Sequence, residues 1–196
     1  MKILYLRKQM HVMMLPTVVL ICCLFFINAS ANEVAQTVES TVAAIKEILA
    51  KKNSEEAKKS EVLSIIDKQV DIKWLSGFIL GKNNSQLNSE QHKQFIHGYK
   101  NFALNLYYSS LGYISDKELK ITSTSERSNN RFSVIGFVLS KDGSKVPFEV
   151  RLHKADGMLL IYDVITSGIS LALSQRNEVD SVIKNKGIDG LLDTIK

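Results

Sequence analysis

The spacing of apolar residues changes from helical to alternating near residue 119, and that change limits the fold more than any other feature. Before it the spacing is helical. Val34, Val38, Val42, Ile45 and Ile48 recur at steps of four, four, three and three, which puts them on one helix face. Asn53-Ser54 restarts the chain, and Val62, Ile66 and Val70 continue at steps of four. Asp71 is placed to cap a third helix carrying Ile72, Leu75, Phe78 and Ile79. Gly81 allows a stop, residues 82–88 read as a polar loop, and Asn88 with Gln91 three residues on forms a variant capping box. The long helix that follows carries a stripe of Phe95, Tyr99, Phe102 and Leu106, flanked by Ile96, Ala103 and Tyr107. Its spacing fits ordinary core, although the aromatic density is high for one face.

Beyond residue 118 the period drops to two. Residues 119–124, 131–140, 145–154 and 158–167 alternate and are rich in β-formers. The turn signals between them are Ser128-Asn129-Asn130, Asp142-Gly143 and Asp156-Gly157, and the two Asp-Gly pairs favour two-residue hairpin loops. Helix returns after Gly168, Lys186-Gly187 ends it, and Ile188, Leu191, Leu192 and Ile195 mark a short amphipathic end piece. Helices, then a meander, then helix predict an α+β fold with helices packed on one antiparallel sheet.

Two-residue loops would fix the register. Phe137 would face Phe148, Ile135 would face Val150, and Ser133 would face Leu152; on the next pair Leu152 would face Ile161, Val150 would face Asp163, and Phe148 would face Ile165. One sheet face would then collect Ile135, Phe137, Leu139, Val146, Phe148, Val150, Leu152, Leu159, Ile161 and Ile165, with Asp163 alone among them. A bulge at either turn would instead move Tyr162 to that face and Asp163 off it. A buried, unpaired carboxylate is prohibitive, so Asp163 must have partners or be neutral. Arg176 on the following helix is one candidate; backbone N–H groups at the helix start near Gly168 are another.

The N-terminal end reads as an export signal. Lys2, Arg7 and Lys8 precede an apolar run from Val12 to Ile27, and Ala29-Ser30-Ala31 supplies an A-x-A cleavage pattern. The run is short for a membrane span of about 20 residues. Removing 31 of the 196 residues would leave a single domain over 32–196, with no internal repeat and no linker. Both cysteines, Cys22 and Cys23, would leave with the signal, so disulfides, thiol nucleophiles and Cys–metal sites would be excluded. Basic residues would fall from 25 to 22 against 20 acids, so the net charge would fall from +5 to +2. No basic stripe is present, which argues against a nucleic-acid partner. His92 and His97 are five apart and share no helix face, and neither HExxH, G-x-S-x-G, G-x-G-x-x-G nor a P-loop occurs, so no metal or cofactor is expected.

The segment IYDVITSGISLALSQRNEVDSVIKNKGIDGLL, from residue 161, resembles the Y-D-V-x-x-x-G-x-S signature of the MlaC family, with its following Arg and its helix ending in G-x-D-G-L. These are the toluene-tolerance or auxiliary transport proteins of Gram-negative bacteria. VDIKWLSGFILGK, SEQHKQFIHGYKNFALNLYYSSLGYI and the exported N-terminus fit in the same order. Two departures stand out: Met158-Leu159 where the family usually has Trp before the Y-D-V strand, and Ser174-Gln175 where it usually has Asn-Tyr. The resemblance implies a fold similar to the cone of nuclear-transport-factor-2-like proteins, a curved four-stranded antiparallel sheet packed with helices around an apolar cavity. It also implies a non-catalytic periplasmic phospholipid carrier working between an outer-membrane lipoprotein–porin complex and an inner-membrane ABC transporter with an MCE-domain subunit. The expected lipid contacts are Trp74, Phe78, Phe95, Tyr99, Phe102, Leu106, Ile135, Phe137, Phe148, Val150, Leu152, Ile161, Ile165 and Ile169, and the expected structural residues are Asp163, Gly168 and Arg176. Two rival readings are a small enzyme on the same cone using Asp163 as base on an apolar substrate, and a non-catalytic adaptor packing its apolar face on partner proteins.

Overall fold

The computed structural model describes residues 31–111, 114–128 and 130–195. The expected signal segment, apart from its last residue, lies outside the described residues, as does Asn129 of the first turn signal. The order is α1 (31–50), α2 (Glu55–Gln69), α3 (Ile72–Leu80), a 3-10 helix (Gly81–Gln86), α4 (Ser89–Leu111), β1 (Glu118–Ser128), β2 (Arg131–Leu139), β3 (Lys145–Ala155), β4 (Met158–Thr166), β5 (Ile169–Ser170) and α5 (Leu171–Thr194). The α+β expectation holds. The sheet, however, has five strands in the order β1-β2-β3-β4-β5, all neighbours antiparallel, because the two residues after the Ser167-Gly168 turn add a short edge to β4. Residues 81–86, expected as loop, form the 3-10 helix.

The helix ends follow the sequence signals. The side chain of Ser54 accepts from the Ala57 N–H, and Asp71 Oδ1 accepts from the Trp74 N–H at 2.8 Å. Asn88 and Gln91 form the reciprocal box: Oδ1 of Asn88 accepts from the Gln91 N–H at 2.9 Å, and Oε1 of Gln91 accepts from the Asn88 N–H at 3.0 Å. Gly187, at φ 72, breaks α5 where the end piece was expected.

The register differs from the two-loop expectation in two places. The β2–β3 connection is five residues, 140–144, closed by the Ser140 N–H on the Ser144 carbonyl. Inside it the Gly143 N–H reaches the Ser140 carbonyl, and Asp142 accepts the Ser144 N–H. Leu139 therefore faces Lys145, and the pairing slips by one residue: Phe137 faces Pro147, Gly136 faces Phe148, and Val134 faces Val150. Because strand side chains alternate, this turns Ile135 and Phe137 to the other face and brings in Phe132, Val134 and Val138. The Asp156-Gly157 loop does have two residues, and Leu152 faces Ile161 as expected. A bulge then interposes Tyr162, so Arg151 faces Asp163, Val150 faces Val164, and Phe148 faces Thr166. Asp163 leaves the Val150 face, and Ile165 pairs with Glu149 on the same outer side. Further irregularities in β1, at Ile121/Ser123 and Glu126/Ser128, bend the sheet edge.

The buried apolar residues fall into two clusters. One is helical, built from α1 to α5 around Leu75, Ile79, Phe95, Tyr99 and Leu191. The other lies on the sheet: Phe132, Val134, Val138, Phe148, Val150 and Leu152, covered by Val34 and Val38 of α1. A domain of this size usually has one contiguous core. The division here leaves a space between the clusters.

Candidate functional site

That space is an apolar cavity of about 330 Å³. Its floor is the inner face of the sheet: Val138 of β2, Val146, Phe148 and Val150 of β3, and Ile161 and Val164 of β4. Its roof is Val38, Val42 and Ile45 of α1 with Ile66 and Val70 around the end of α2. Tyr107 and Leu111 at the end of α4, with Ile114 and Leu119, close one side. Leu171 and Ser174 of α5 lie opposite, with Ile169, which is 65 % exposed, at the rim. Among the described residues no charged side chain lines the wall, and its polar members are Thr41, Gln69, Tyr107, Ser110, Thr166 and Ser174.

Local chemistry fixes this shape. Gly136 lies opposite Phe148, and a Cβ there would sit 2.8 Å from Phe148 Cζ and 2.1 Å from the Lys120 carbonyl oxygen, so only glycine lets β1 and the Phe148 ring approach so closely. The Asp71 N–H donates to the Ile161 carbonyl at 2.9 Å, and Val70 forms a parallel bridge with Ile161, which ties the α2–α3 junction to the sheet beside the cavity. Outside it, His153 Nε2 and Asp71 Oδ2 lie 2.8 Å apart, covered by Trp74 and Tyr162.

Asp163 holds the join between β4 and α5. It is 4 % exposed; Oδ1 accepts the Ala172 N–H at 3.1 Å and Oδ2 accepts the Ser170 hydroxyl at 2.8 Å. Ser170 in turn caps α5 through the Leu173 N–H. The cation facing Asp163 is Arg151, at 3.5 Å, rather than Arg176. Arg176 lies over the Phe78 ring, 5.0 Å from its centre, and against Gly81, where a Cβ would meet the guanidinium at 2.6 Å. The exchange of partners follows from the bulge, which aims Asp163 at the odd-numbered side of β3. Gly168, at φ 82, makes the turn between β4 and β5.

The expected lipid contacts separate on this geometry. Phe148, Val150, Ile161 and Ile169 line the cavity. Leu152 is fully buried in the sheet cluster. Ile135, Phe137 and Ile165 lie on the other side because of the register slip and the bulge; Phe137 sits under Lys145 Nζ at 4.7 Å. Phe95 and Tyr99 stack at 5.5 Å in the helical core, where the Tyr99 hydroxyl donates to Gln175 Oε1 at 2.6 Å. Phe102, 40 % exposed, and Leu106 face a shallow surface hollow instead. The rotation of α4 is set by Gly98, where a Cβ would lie 2.4 Å from the Ile195 carbonyl oxygen, so the buried face runs through 95, 99, 103 and 107. Trp74 and Phe78 stack on one another at 5.1 Å outside the cavity. Among the two departures from the family pattern, Gln175 belongs to the helical core and Ser174 to the cavity wall, while Met158 is exposed and Leu159 packs on the sheet cluster.

Two wall residues, unmarked by sequence reasoning, carry polar atoms with no partner: Gln69 Oε1 and the Tyr107 hydroxyl. Burial, and then the nearby Asp163 carboxylate, push the Tyr107 hydroxyl well above the usual tyrosine range, so it remains an O–H donor. Among the described residues no group of His, Cys, Asp and Glu is arranged to hold a metal ion, and no helix is long and apolar enough to cross a membrane.

The solved structure of the phospholipid-binding protein from Ralstonia solanacearum, in complex with a phospholipid, matches this fold with a TM-score of 0.69 at 21 % identity, over 84 % of this chain and 93 % of that one. The family model described as MlaC protein matches residues 35–196, so nearly all of the chain that shapes the cavity is covered, and the protein belongs to the MlaC family.

Proposed function

We propose that the protein is a non-catalytic carrier of phospholipid whose acyl chains occupy the cavity between the two core clusters. The observation that carries this is the uncharged, apolar space itself. Protein interiors are close-packed. An unfilled void of 330 Å³ would forfeit on the order of several kcal/mol at about 24 cal/mol per Å³. A loss of that size is a large share of a domain's usual stability, and an apolar ligand removes it. Transfer of an acyl chain from water gains about 0.8 kcal/mol per CH₂. Transfer from a bilayer exchanges one apolar surrounding for another, so uptake and release stay nearly balanced, as a carrier requires. Asp163, the acid that a catalytic reading would use, is absent from the cavity wall, and both its oxygens are engaged by Ser170, Ala172 and Arg151.

The family membership and the phospholipid bound by the Ralstonia solanacearum protein support the same reading. In the full proposal, residues 1–31 direct export, residues 32–196 form one lipid-binding domain in the periplasm, and the carrier exchanges lipid with an outer-membrane lipoprotein–porin complex and an inner-membrane ABC transporter with an MCE-domain subunit. Delipidated protein mixed with phospholipid vesicles and separated by gel filtration tests the central step. Phospholipid co-eluting with the protein is expected; protein that elutes free of lipid at every vesicle concentration overturns the proposal.

A further inference from the structure

Six polar side chains interrupt the apolar wall among the described residues, and Tyr107 is the most deeply buried of them. The side chain is 8 % exposed, its ring continues the buried face of α4, and its hydroxyl has no hydrogen-bond partner. A phenylalanine would fill the same volume without stranding a polar group, and a buried unpaired hydroxyl destabilises the fold. Gln69, at the end of α2, repeats the pattern on the same wall with an unpartnered Oε1. Two unpaired polar atoms on one cavity wall mark a place where a ligand brings polar atoms of its own.

We propose that Tyr107 and Gln69 form a polar site inside the cavity that recognises the ester linkage of an acyl lipid, with the Tyr107 O–H donating to an ester carbonyl oxygen. The inference rests on the acyl-lipid reading above and names the chemical group that the site selects. An ester carbonyl is the acceptor that acyl lipids carry next to their hydrocarbon. An ether-linked lipid of the same length has the same chains but lacks the carbonyl. Gln69 Oε1 is an acceptor and an ester has no donor, so Gln69 reaches the linkage through a bridging water that donates to both. The neighbouring Asp163 carboxylate bonds Ser170, Ala172 and Arg151 and not the Tyr107 hydroxyl, which leaves that O–H for the ligand.

The test loads the protein competitively from vesicles that contain equal amounts of a diester phosphatidylglycerol and its dialkyl ether counterpart, and reads the bound lipids by mass spectrometry. The wild type is expected to favour the diester on the order of fivefold, the size of one neutral hydrogen bond. Tyr107→Phe is expected to load both equally while its lipid-free form melts no lower than the wild type, because the change removes a stranded hydroxyl. No diester preference in the wild type, or a preference that Tyr107→Phe keeps, overturns the inference and leaves the carrier reading intact. A wild type that loads neither lipid overturns both. The wild-type comparison alone decides the matter if Tyr107→Phe does not fold.

Discussion

Replacing Asp163 separates a structural acid from a chemical one. Asp163→Ala deletes the acceptor for the Ala172 N–H and the Ser170 hydroxyl, while Arg151, which Asp163 faces at 3.5 Å, keeps Glu149 as its counter-charge. Hydrogen bonds to a charged group are worth about 1.5–3 kcal/mol each. The two bonds share one carboxylate, so the expected loss is about 3–5 kcal/mol in all. For a chain of 150–250 residues each kcal/mol moves Tm by about 2–4 °C, which places the expected fall at roughly 6–20 °C. Asp163→Asn keeps the shape and one acceptor but turns an amide N–H₂ toward Arg151 or Ser170, and about half that loss is expected. Thermal unfolding followed by circular dichroism gives the Tm, and lipid loading is measured on the same samples below their transitions. Both variants are expected to load phospholipid once folded. A Tm within about 2 °C of wild type together with lost ligand handling would refute the reasoning; Asp163 would then act on the ligand.

Three further perturbations address the cavity and its frame. Val150→Trp places an indole in the space that Val150 borders; most bound lipid is expected to disappear, with a stability change of no more than about 1–3 kcal/mol, and unchanged loading would show that the lipid sits elsewhere. Gly136→Ala would put a methyl group 2.1 Å from the Lys120 carbonyl oxygen, and because that neighbour is backbone the β1–β2 pairing must shift, so Tm is expected to fall clearly; an unchanged Tm would contradict the close approach. Burial pushes the Glu149 carboxyl up, but hydrogen bonds from Arg151 and Ser133 and the charges of Arg151 and Arg127 hold it below the usual range on balance. The stability it contributes is therefore full above the unfolded carboxyl pKa of about 4.3 and is lost as pH falls through the lower folded value. Glu149→Gln should lower Tm at neutral pH and match the wild type near the acid end of a pH series; an equal gap at all pH values would rule out this ion-pair network.

The sequence made the element types, the caps at Ser54, Asp71 and Asn88 and the break at Gly187 readable, because each depends on a few adjacent residues. It also carried the fold class, through the change of period near residue 119 and the return of the helical period after Gly168. Register was less readable. Asp142-Gly143 carries the same two letters as Asp156-Gly157, yet the first lies in a five-residue connection because Ser140 and Ser144 close it from outside, and the second is a two-residue loop. With apolar residues on both faces of β2, alternation could not choose between Ile135–Phe137 and Val134–Val138. The cavity itself was half readable. Alternation marks its floor residues Phe148, Val150 and Ile161, while its roof of Val38, Val42 and Ile45 reads only as a helix stripe, since nothing local says which surface a stripe will cover. The aromatic stripe of α4 does not reveal that Phe95 and Tyr99 pack in the helical core, because the helix is rotated by the contact of Gly98 with Ile195, far away in sequence.

A phospholipid held in the cavity is the central requirement for a carrier of this kind. Native mass spectrometry of the purified protein, kept folded and never delipidated, measures this most directly. The expected spectrum shows the chain together with a mass increment that fragments to a diacyl phospholipid. A spectrum of the bare chain, from protein expressed in a Gram-negative host and purified without detergent, would contradict it.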